Sequence, residues 1–223
     1  MNMVILAIGM LMALPLVGFA QVELSVVPTN ACIHVAEAVS FKVTVRNTGA
    51  SDISGLFILG GAYQGFEIDI EKQGNGPKDR FYNAAMREMI AYDMMLQPVT
   101  LRASESISAS YCLLYNVRKE NYVFETPGEY EVHFRLLWNS ESGDTITAVA
   151  RVSVVGWDAT KEEGRKQLKA LALWKNREIA VAYQDNAKWS DFASGQLRKL
   201  KNEYADTIYG NLASTVLARE RAP

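Results

Sequence analysis

Residues that usually carry chemistry are scarce in this sequence. Its 223 residues include two cysteines and two histidines. Gly-x-Ser-x-Gly, His-Glu-x-x-His and glycine-rich phosphate-binding motifs are all missing. The nearest thing to a carboxylate pair is Glu67 with Asp69 on one face of a predicted strand, and such side chains are usually solvated. The sequence therefore predicts no catalytic residues and a protein that is not an enzyme.

A strong net charge is also missing. The chain has 23 basic and 25 acidic side chains, so its formal net charge is -2. A protein that holds nucleic acid by neutralising phosphates, or that carries a polybasic membrane patch, needs a positive excess. The balance predicts neither partner. Because 49% of the residues are hydrophobic, the chain has enough apolar material for a folded core.

The first twenty residues contain no charged side chain. Met1–Ala20 is apolar and closes with Gly18-Phe19-Ala20, which places small residues at the last and third-last positions. This pattern predicts a cleavable signal peptide and an extracytoplasmic protein, periplasmic or secreted. The basic residue that usually precedes such a run is absent, and the run is close to the roughly 18 residues of a membrane span. An uncleaved N-terminal anchor is the alternative.

Alternation of apolar and polar residues dominates the first two thirds of the remaining chain and predicts strands. The face of Tyr130, Val132, Phe134, Leu136 and Trp138 is the clearest example. The predicted strands are Val22–Val27, Ala38–Arg46, Ile53–Leu59, Phe66–Ile70, Val99–Arg102, Ser106–Tyr115, Glu129–Asn139 and Thr145–Val155. Seven or eight strands joined by polar turns are typical of an antiparallel sandwich. The predicted fold class is therefore mainly β, with a sandwich domain over residues 21–156.

Two short segments resemble extracytoplasmic bacterial immunoglobulin-like domains. Val43–Gly49 (VTVRNTG) is similar to an early strand and turn of such domains, and Phe124–Val132 (FETPGEYEV) is similar to the entry to a late strand. The resemblance covers Val22 to about Val155 and implies an immunoglobulin-like fold far more than any activity. Trp138 follows Cys112, so the antibody arrangement of a tryptophan between two cysteines is not reproduced.

An interruption lies between the predicted strands. Glu71–Arg80 reads as a polar, glycine-rich loop, and residues 81–96 then show apolar residues at helical spacing. This pattern predicts an inserted helix. Its methionines, which include Met86 and Met89, suit core packing, an adaptable binding groove to which Tyr92 would also belong, or a copper-handling site.

Helical spacing replaces alternation from residue 157 to the end of the chain. Thr160 and Glu163 are spaced as a capping box that starts a helix near Lys161. A break follows at Asn186–Ser190, and further helices are predicted from about Asp191 and about Tyr209. Leu197–Ala213 resembles the closing half of a tetratricopeptide-like helical hairpin, with Ala205 where many such repeats have proline. The predicted third region is thus a C-terminal α-helical hairpin over residues 157–223.

This C-terminal segment is too short for the three or so stacked repeats of a stable solenoid. Its apolar face must therefore be covered by the sandwich or by another protein. If another protein covers this face, the predicted interaction surface includes Trp174, Tyr204 and Tyr209 in addition to Met86, Met89 and Tyr92.

The two cysteines leave two alternatives open. Cys32 and Cys112 are an even pair in a chain predicted to be exported, which favours a disulfide. Alternation places Cys112 on the outward face with the serines before it, which favours two unbridged thiols. Cys32 with His34, and Cys112 with His133, would supply a two-thiolate, two-imidazole metal set. Their spacing does not match a compact zinc module, so no metal or cofactor site is predicted.

These observations together predict an exported, non-enzymatic binding or interaction protein that acts in adhesion or in the assembly of an envelope complex. The predicted partner is another protein, with no nucleic acid and no membrane contact beyond an uncleaved anchor. One alternative is an inhibitor or accessory domain of an extracytoplasmic hydrolase, with the loop Glu71–Arg80 in the cleft of the enzyme. Another is a metal-handling periplasmic protein that uses the two Cys-His pairs.

Overall fold

Over the residues that the structure describes, the protein is mainly β, with several antiparallel sheets followed by four helices. The computed structural model describes residues 22–57, 59, 65–82, 98–139, 141–185 and 188–219. The strands are β1 (Val22–Pro28), β2 (Cys32–His34), β3 (Val39–Asn47), β4 (Ile53–Gly55), β5 (Phe66–Lys72), β6 (Asn75–Arg80), β7 (Val99–Leu101), β8 (Ser106–Leu113), β9 (Tyr115–Asn116), β10 (Asn121–Tyr122), β11 (Gly128–Asn139) and β12 (Asp144–Val155). The helices are α1 (Glu162–Trp174), α2 (Arg177–Asp185), α3 (Asp191–Glu203) and α4 (Ile208–Arg219).

Two sheets form most of the strand region, which we call the β body (residues 22–155). The larger sheet has the order β2-β12-β11-β5-β6, and the smaller has the order β1-β3-β8. All neighbours in these sheets are antiparallel except β2 and β12, which run parallel over three residues. Two short two-stranded sheets, β4-β7 and β9-β10, complete the described strands.

The two larger sheets face each other across an aromatic core. Phe41 of β3 contacts Phe134 of β11 with 5.4 Å between ring centroids, and Phe66 of β5 stacks on Tyr111 of β8 at 4.9 Å. The inward face of β11 is buried at Tyr130, Val132, Phe134 and Leu136, as alternation predicted. Since one face of each strand is apolar, the sheets bury those faces against each other and leave the polar faces outward.

The predicted polar loop at Glu71–Arg80 is wrong. Strand β5 continues to Lys72, and β6 returns beside it to form a hairpin that pairs Asp69 with Arg80. The turn contains Gly74 at a φ of +81°, a conformation that glycine adopts readily. Phe81 and Tyr82, at the start of the predicted inserted helix, are not helical. The rest of that predicted helix, with Met86, Met89 and Tyr92, lies outside the described residues.

The helical tail (residues 162–219) has one more break than predicted. The run from Lys161 divides at Lys175-Asn176, where Asn176 Oδ1 accepts a hydrogen bond of 2.8 Å from the backbone N–H of Glu178 and caps α2. The predicted capping box at the start of α1 does not form, because Thr160 donates its hydroxyl to Asp158 instead. Helices α3 and α4 start at or within one residue of the predicted positions.

Candidate interaction surfaces

Trp174 and Tyr209, two predicted surface residues, lie instead at the contact between the helical tail and the β body. Both side chains are fully buried, at 0% exposure. The Trp174 indole N–H donates to the carbonyl oxygen of Ala36 at 3.0 Å. The Tyr209 hydroxyl donates to the carbonyl oxygen of Val35 at 2.6 Å. These residues therefore hold the tail on the β body and are not available to a partner.

A second aromatic pair extends this contact. Trp157, just after β12, donates its indole N–H to the Tyr209 hydroxyl at 3.1 Å, and its ring stacks on His34 with 3.6 Å between centroids. Burial lowers the pKa of His34 below its usual value of 6.5, and nearby Glu37 opposes that shift. Burial also raises the pKa of Tyr209 to about 12. We call Val35, Ala36, His34, Trp157, Trp174 and Tyr209 the junction cluster.

Helix α2 fastens the tail at a further point. The Gln184 side-chain oxygen accepts hydrogen bonds from the backbone N–H groups of Leu114 and Tyr115, both at 2.9 Å. The buried hydroxyl of Tyr122 donates to the carbonyl oxygen of Trp174 at 2.7 Å. Arg177 also forms an ion pair with Glu120 at 2.6 Å, although exposed pairs add little stability. The tail is thus held by bonds to several parts of the β body, which sequence periodicity did not reveal.

The remaining predicted site residues are not brought together. Tyr204 is half-buried at the end of α3, and Met86, Met89 and Tyr92 are outside the described residues. Cys32 and Cys112 are not joined by a disulfide. Cys32 lies on β2 in the five-stranded sheet and Cys112 on β8 in the opposite sheet, an arrangement that corresponds to the second of the two alternatives, unbridged thiols.

The histidines do not join the cysteines in a metal set. His34 is engaged in the junction cluster, and Cys32 lies beside Ser153 of β12. His133 is paired with Val149, four residues away along that strand. No group of three or more His, Cys, Asp or Glu residues in the described ranges is arranged to hold a metal ion.

The outward face of the five-stranded sheet carries alternating charges. Arg135 and Arg80 both contact Glu67, and Arg80 also donates to Asp69 at 2.5 Å. The carboxylate pair noted in the sequence is thus held by arginine side chains. We call this surface the charged face; its members are Glu67, Asp69, Glu71, Lys78, Arg80, Glu131, His133, Arg135 and Arg151.

Two carboxylates of like charge are direct neighbours on this face. Glu131 of β11 is paired with Glu71 of β5 in the sheet register, an arrangement that is normally unfavourable. His133 Nε2 lies 3.6 Å from Glu71 and 3.7 Å from Glu131, beyond hydrogen-bond range. Arg151 donates to Glu131 at 3.1 Å, and Lys78 lies 3.8 Å from Glu71. The face therefore balances its own charges internally.

An aromatic patch at the start of α3 was missed by the sequence reasoning. Phe192 is 69% exposed, and the neighbouring Trp189 is half-buried against the core. Ser190, between them, caps α3 by accepting a hydrogen bond from the N–H of Ala193 at 3.3 Å. It also donates its hydroxyl to Glu178 of α2 at 2.5 Å. The backbone that presents Phe192 is thus fixed in place. We call Trp189 and Phe192 the aromatic patch.

None of the described helices combines the length and the apolar character needed to cross a membrane.

Comparison with known proteins identifies no family. No family model and no curated protein matches the sequence. Among solved structures, the chain is similar to the alkylpurine DNA glycosylase AlkC of Pseudomonas fluorescens, bound to DNA containing an abasic site analog (15% identity, TM-score 0.38, covering 62% of this chain and 32% of that one). It is also similar to Spo0M, a sporulation control protein of Bacillus subtilis, with 12% identity and a TM-score of 0.38; the match covers 69% of this chain and 56% of that one. A third similar structure is the CARDB domain of the PF1109 protein of Pyrococcus furiosus, in complex with di-metal ions. Its identity is 12% and its TM-score is 0.32, and the match covers 60% of this chain and 92% of that one.

The chain spans about a third of the glycosylase and just over half of the sporulation protein. With TM-scores below 0.5, none of these similarities carries an argument about this protein.

Proposed function

We propose that this protein is an exported, non-enzymatic interaction protein that binds another protein in the cell envelope through the aromatic patch on its helical tail. The uncharged N-terminal run and its Gly-Phe-Ala ending support export. The two facing sheets and the two resembling segments support an immunoglobulin-like β body, which acts as the platform for the tail.

The observation that carries the proposal is the exposure of Phe192 on a fixed backbone. Aromatic side chains dominate protein–protein binding energy, and rigid presentation lowers the entropy lost on binding. Trp189, three residues earlier in the chain, also has part of its surface accessible. The charged face is less suited to this role, because its ion pairs would have to be broken before a partner could use them.

Capture of a partner from envelope extracts tests the proposal. The full mature chain serves as bait, because removal of the tail would expose the apolar residues that Trp174 and Tyr209 cover. Phe192→Ala is expected to reduce recovery of the partner at least tenfold. The matched control is Val27→Ala, which removes another side chain that is highly exposed, at 61%, but lies on β1.

The partner must then bind the purified protein directly and lose affinity with Phe192→Ala. If Val27→Ala abolishes binding and Phe192→Ala does not, recognition lies on the β body and the assignment to the tail is wrong. If the protein turns over a substrate, the non-enzymatic proposal is wrong.

A further inference from the structure

Among the described residues, one edge of the five-stranded sheet is unpaired along most of β12. This strand pairs with β11 on one side, from Asp144 to Val154. On its other side, β2 pairs only with Ser153–Val155. Among the described strands, none pairs with that side of Asp144–Val152. The main-chain groups on this side, at alternate residues, therefore point toward a position where a further strand could be added.

The open edge lacks the features that usually prevent strands from associating. Thr145–Ala150 (TITAVA) contains no charge, proline or glycine, and four of its six residues are β-branched. Edges in soluble proteins are normally protected by charged residues, proline, bulges or short length. The opposite edge of the same sheet, β6, has Pro77, Lys78, Asp79 and Arg80. The β6 edge of the sheet is thus protected against pairing with another strand, and the β12 edge is not.

A groove accompanies the open edge. It has a volume of about 510 Å³ and lies between β1 and β12, lined by Val22, Glu23, Leu24, Thr48, Thr145, Ile146 and Thr147. The inward residues Ile146 and Ala148 are only partly buried here, whereas Ala150, Val152 and Val154 further along are buried. On the outward side, Val149 is 50% exposed. An added strand would cover apolar surface that the monomer leaves accessible.

We propose that a second copy of this chain occupies the edge, with β12 pairing antiparallel to β12 about a two-fold axis at Thr147. Opposed residues of an antiparallel pair point to the same face. This register therefore places Thr145 opposite Val149 of the second copy, Ile146 opposite Ala148, and Asp144 opposite Ala150. Ile146 thus meets the small Ala148, and no like charges are opposed. Pairing over Asp144–Ala150 also stops short of Ser153, the first residue of β12 that pairs with β2.

This inference goes beyond the proposed function, because it names a second copy as a partner and a different surface, β12, as the site where it binds. An interface of seven residue pairs is small, and interfaces of that size are weak. The expected behaviour is a monomer–dimer equilibrium in the micromolar range or weaker.

Sedimentation velocity of the full mature chain from about 1 to 300 μM tests the proposal. The wild-type protein is expected to shift from monomer to dimer. Thr147→Lys places two ammonium groups opposite each other at the axis and is expected to weaken the dimer at least tenfold. Ser108→Lys is the matched control, because it adds the same charge to β8, the uncharged edge of the other sheet. It should leave the dimer intact, and circular dichroism of both variants checks folding.

Three results would overturn the proposal: a monomer at every concentration, a dimer unaffected by Thr147→Lys, or a dimer lost only with Ser108→Lys. The last would move the interface to β8. If the protein is instead recovered as a monomer with a foreign peptide bound along β12, the occupant of this edge is that peptide and not a second copy. Capture of an envelope partner through Phe192 does not depend on this edge, so the two proposals fail separately.

Discussion

The Trp174 indole N–H is bonded to the carbonyl oxygen of Ala36, a residue held at a φ of +56° inside the protein. An L-residue in this region is strained by about 1 kcal/mol or more. Ala36 follows β2 directly after Val35, whose carbonyl oxygen accepts the Tyr209 hydroxyl. The tail therefore fixes two consecutive carbonyl groups of one strained turn, and the bonds it makes there oppose relaxation of the turn.

Removal of the Tyr209 hydroxyl is expected to destabilise the protein. Tyr209→Phe leaves the Val35 carbonyl oxygen and the Trp157 indole N–H without this bonding partner. A lost buried hydrogen bond of this kind costs about 1–3 kcal/mol. Urea unfolding followed by tryptophan fluorescence measures the change. Tyr204→Phe, at the half-buried tyrosine of the tail, is the control and should have less than half the effect. A loss at Tyr209 no larger than the loss at Tyr204 would contradict this prediction.

Stability is expected to fall in mild acid because of His34. Burial lowers the pKa of its imidazole in the folded protein, so the unfolded chain takes up the proton first as the pH falls. The free energy of unfolding should therefore be highest above the ordinary pKa of about 6.5 and should decrease as the pH falls below that value.

Urea midpoints at pH 7.5 and pH 5.5 measure this dependence. His34→Gln should reduce the difference between the two midpoints, and His133→Gln, on the charged face, should leave the His34 contribution in place. If the two midpoints of His34→Gln differ as much as those of the wild-type protein, the pH dependence does not come from His34.

Two glycines of the tail are expected to respond in opposite directions to alanine. A Cβ at Gly210 would lie 1.9 Å from the backbone oxygen of Tyr204, so Gly210→Ala must separate α3 from α4 and should cost several kcal/mol, on the scale of overpacking. A Cβ at Gly195 meets nothing within 4 Å, and this exposed site lies inside α3. Gly195→Ala should stabilise by about 0.5–1 kcal/mol. Thermal unfolding measures both changes, and a tolerated Gly210→Ala would show that the helices do not approach so closely.

A stabilising change is expected in the turn before β8. Ser104 is exposed and has a φ of +65°, within a turn closed by a 3.0 Å bond from the Glu105 N–H to the Arg102 carbonyl. Glycine adopts this conformation without the Cβ strain, so Ser104→Gly should raise the free energy of unfolding by about 0.5–1 kcal/mol. Ala103→Gly, one residue earlier, is the control and should not stabilise. Chemical unfolding distinguishes the two, and a destabilising Ser104→Gly would contradict the prediction.

The sequence predicted the strands that bury one face, and it failed where several elements meet. Alternation located β3 and β11 to within one residue at each end, because one-sided burial imposes a period of two. Strand β6 was missed because it is a polar edge strand and looks like a loop. The break after Trp174 was missed because its main signal is a single Asn176. The surface against which Trp174 and Tyr209 pack stayed open, because an apolar helical stripe does not reveal what covers it.

The parallel pairing of β2 with β12 has a mechanical consequence. The two strands end together, and the tail both continues from β12 and is bonded to the turn that follows β2. A pull on the C-terminus would therefore be shared between two strands drawn in the same direction, so β12 would not carry the whole load alone. If the protein is tethered at its tail, this shared attachment makes the β body resistant to tension.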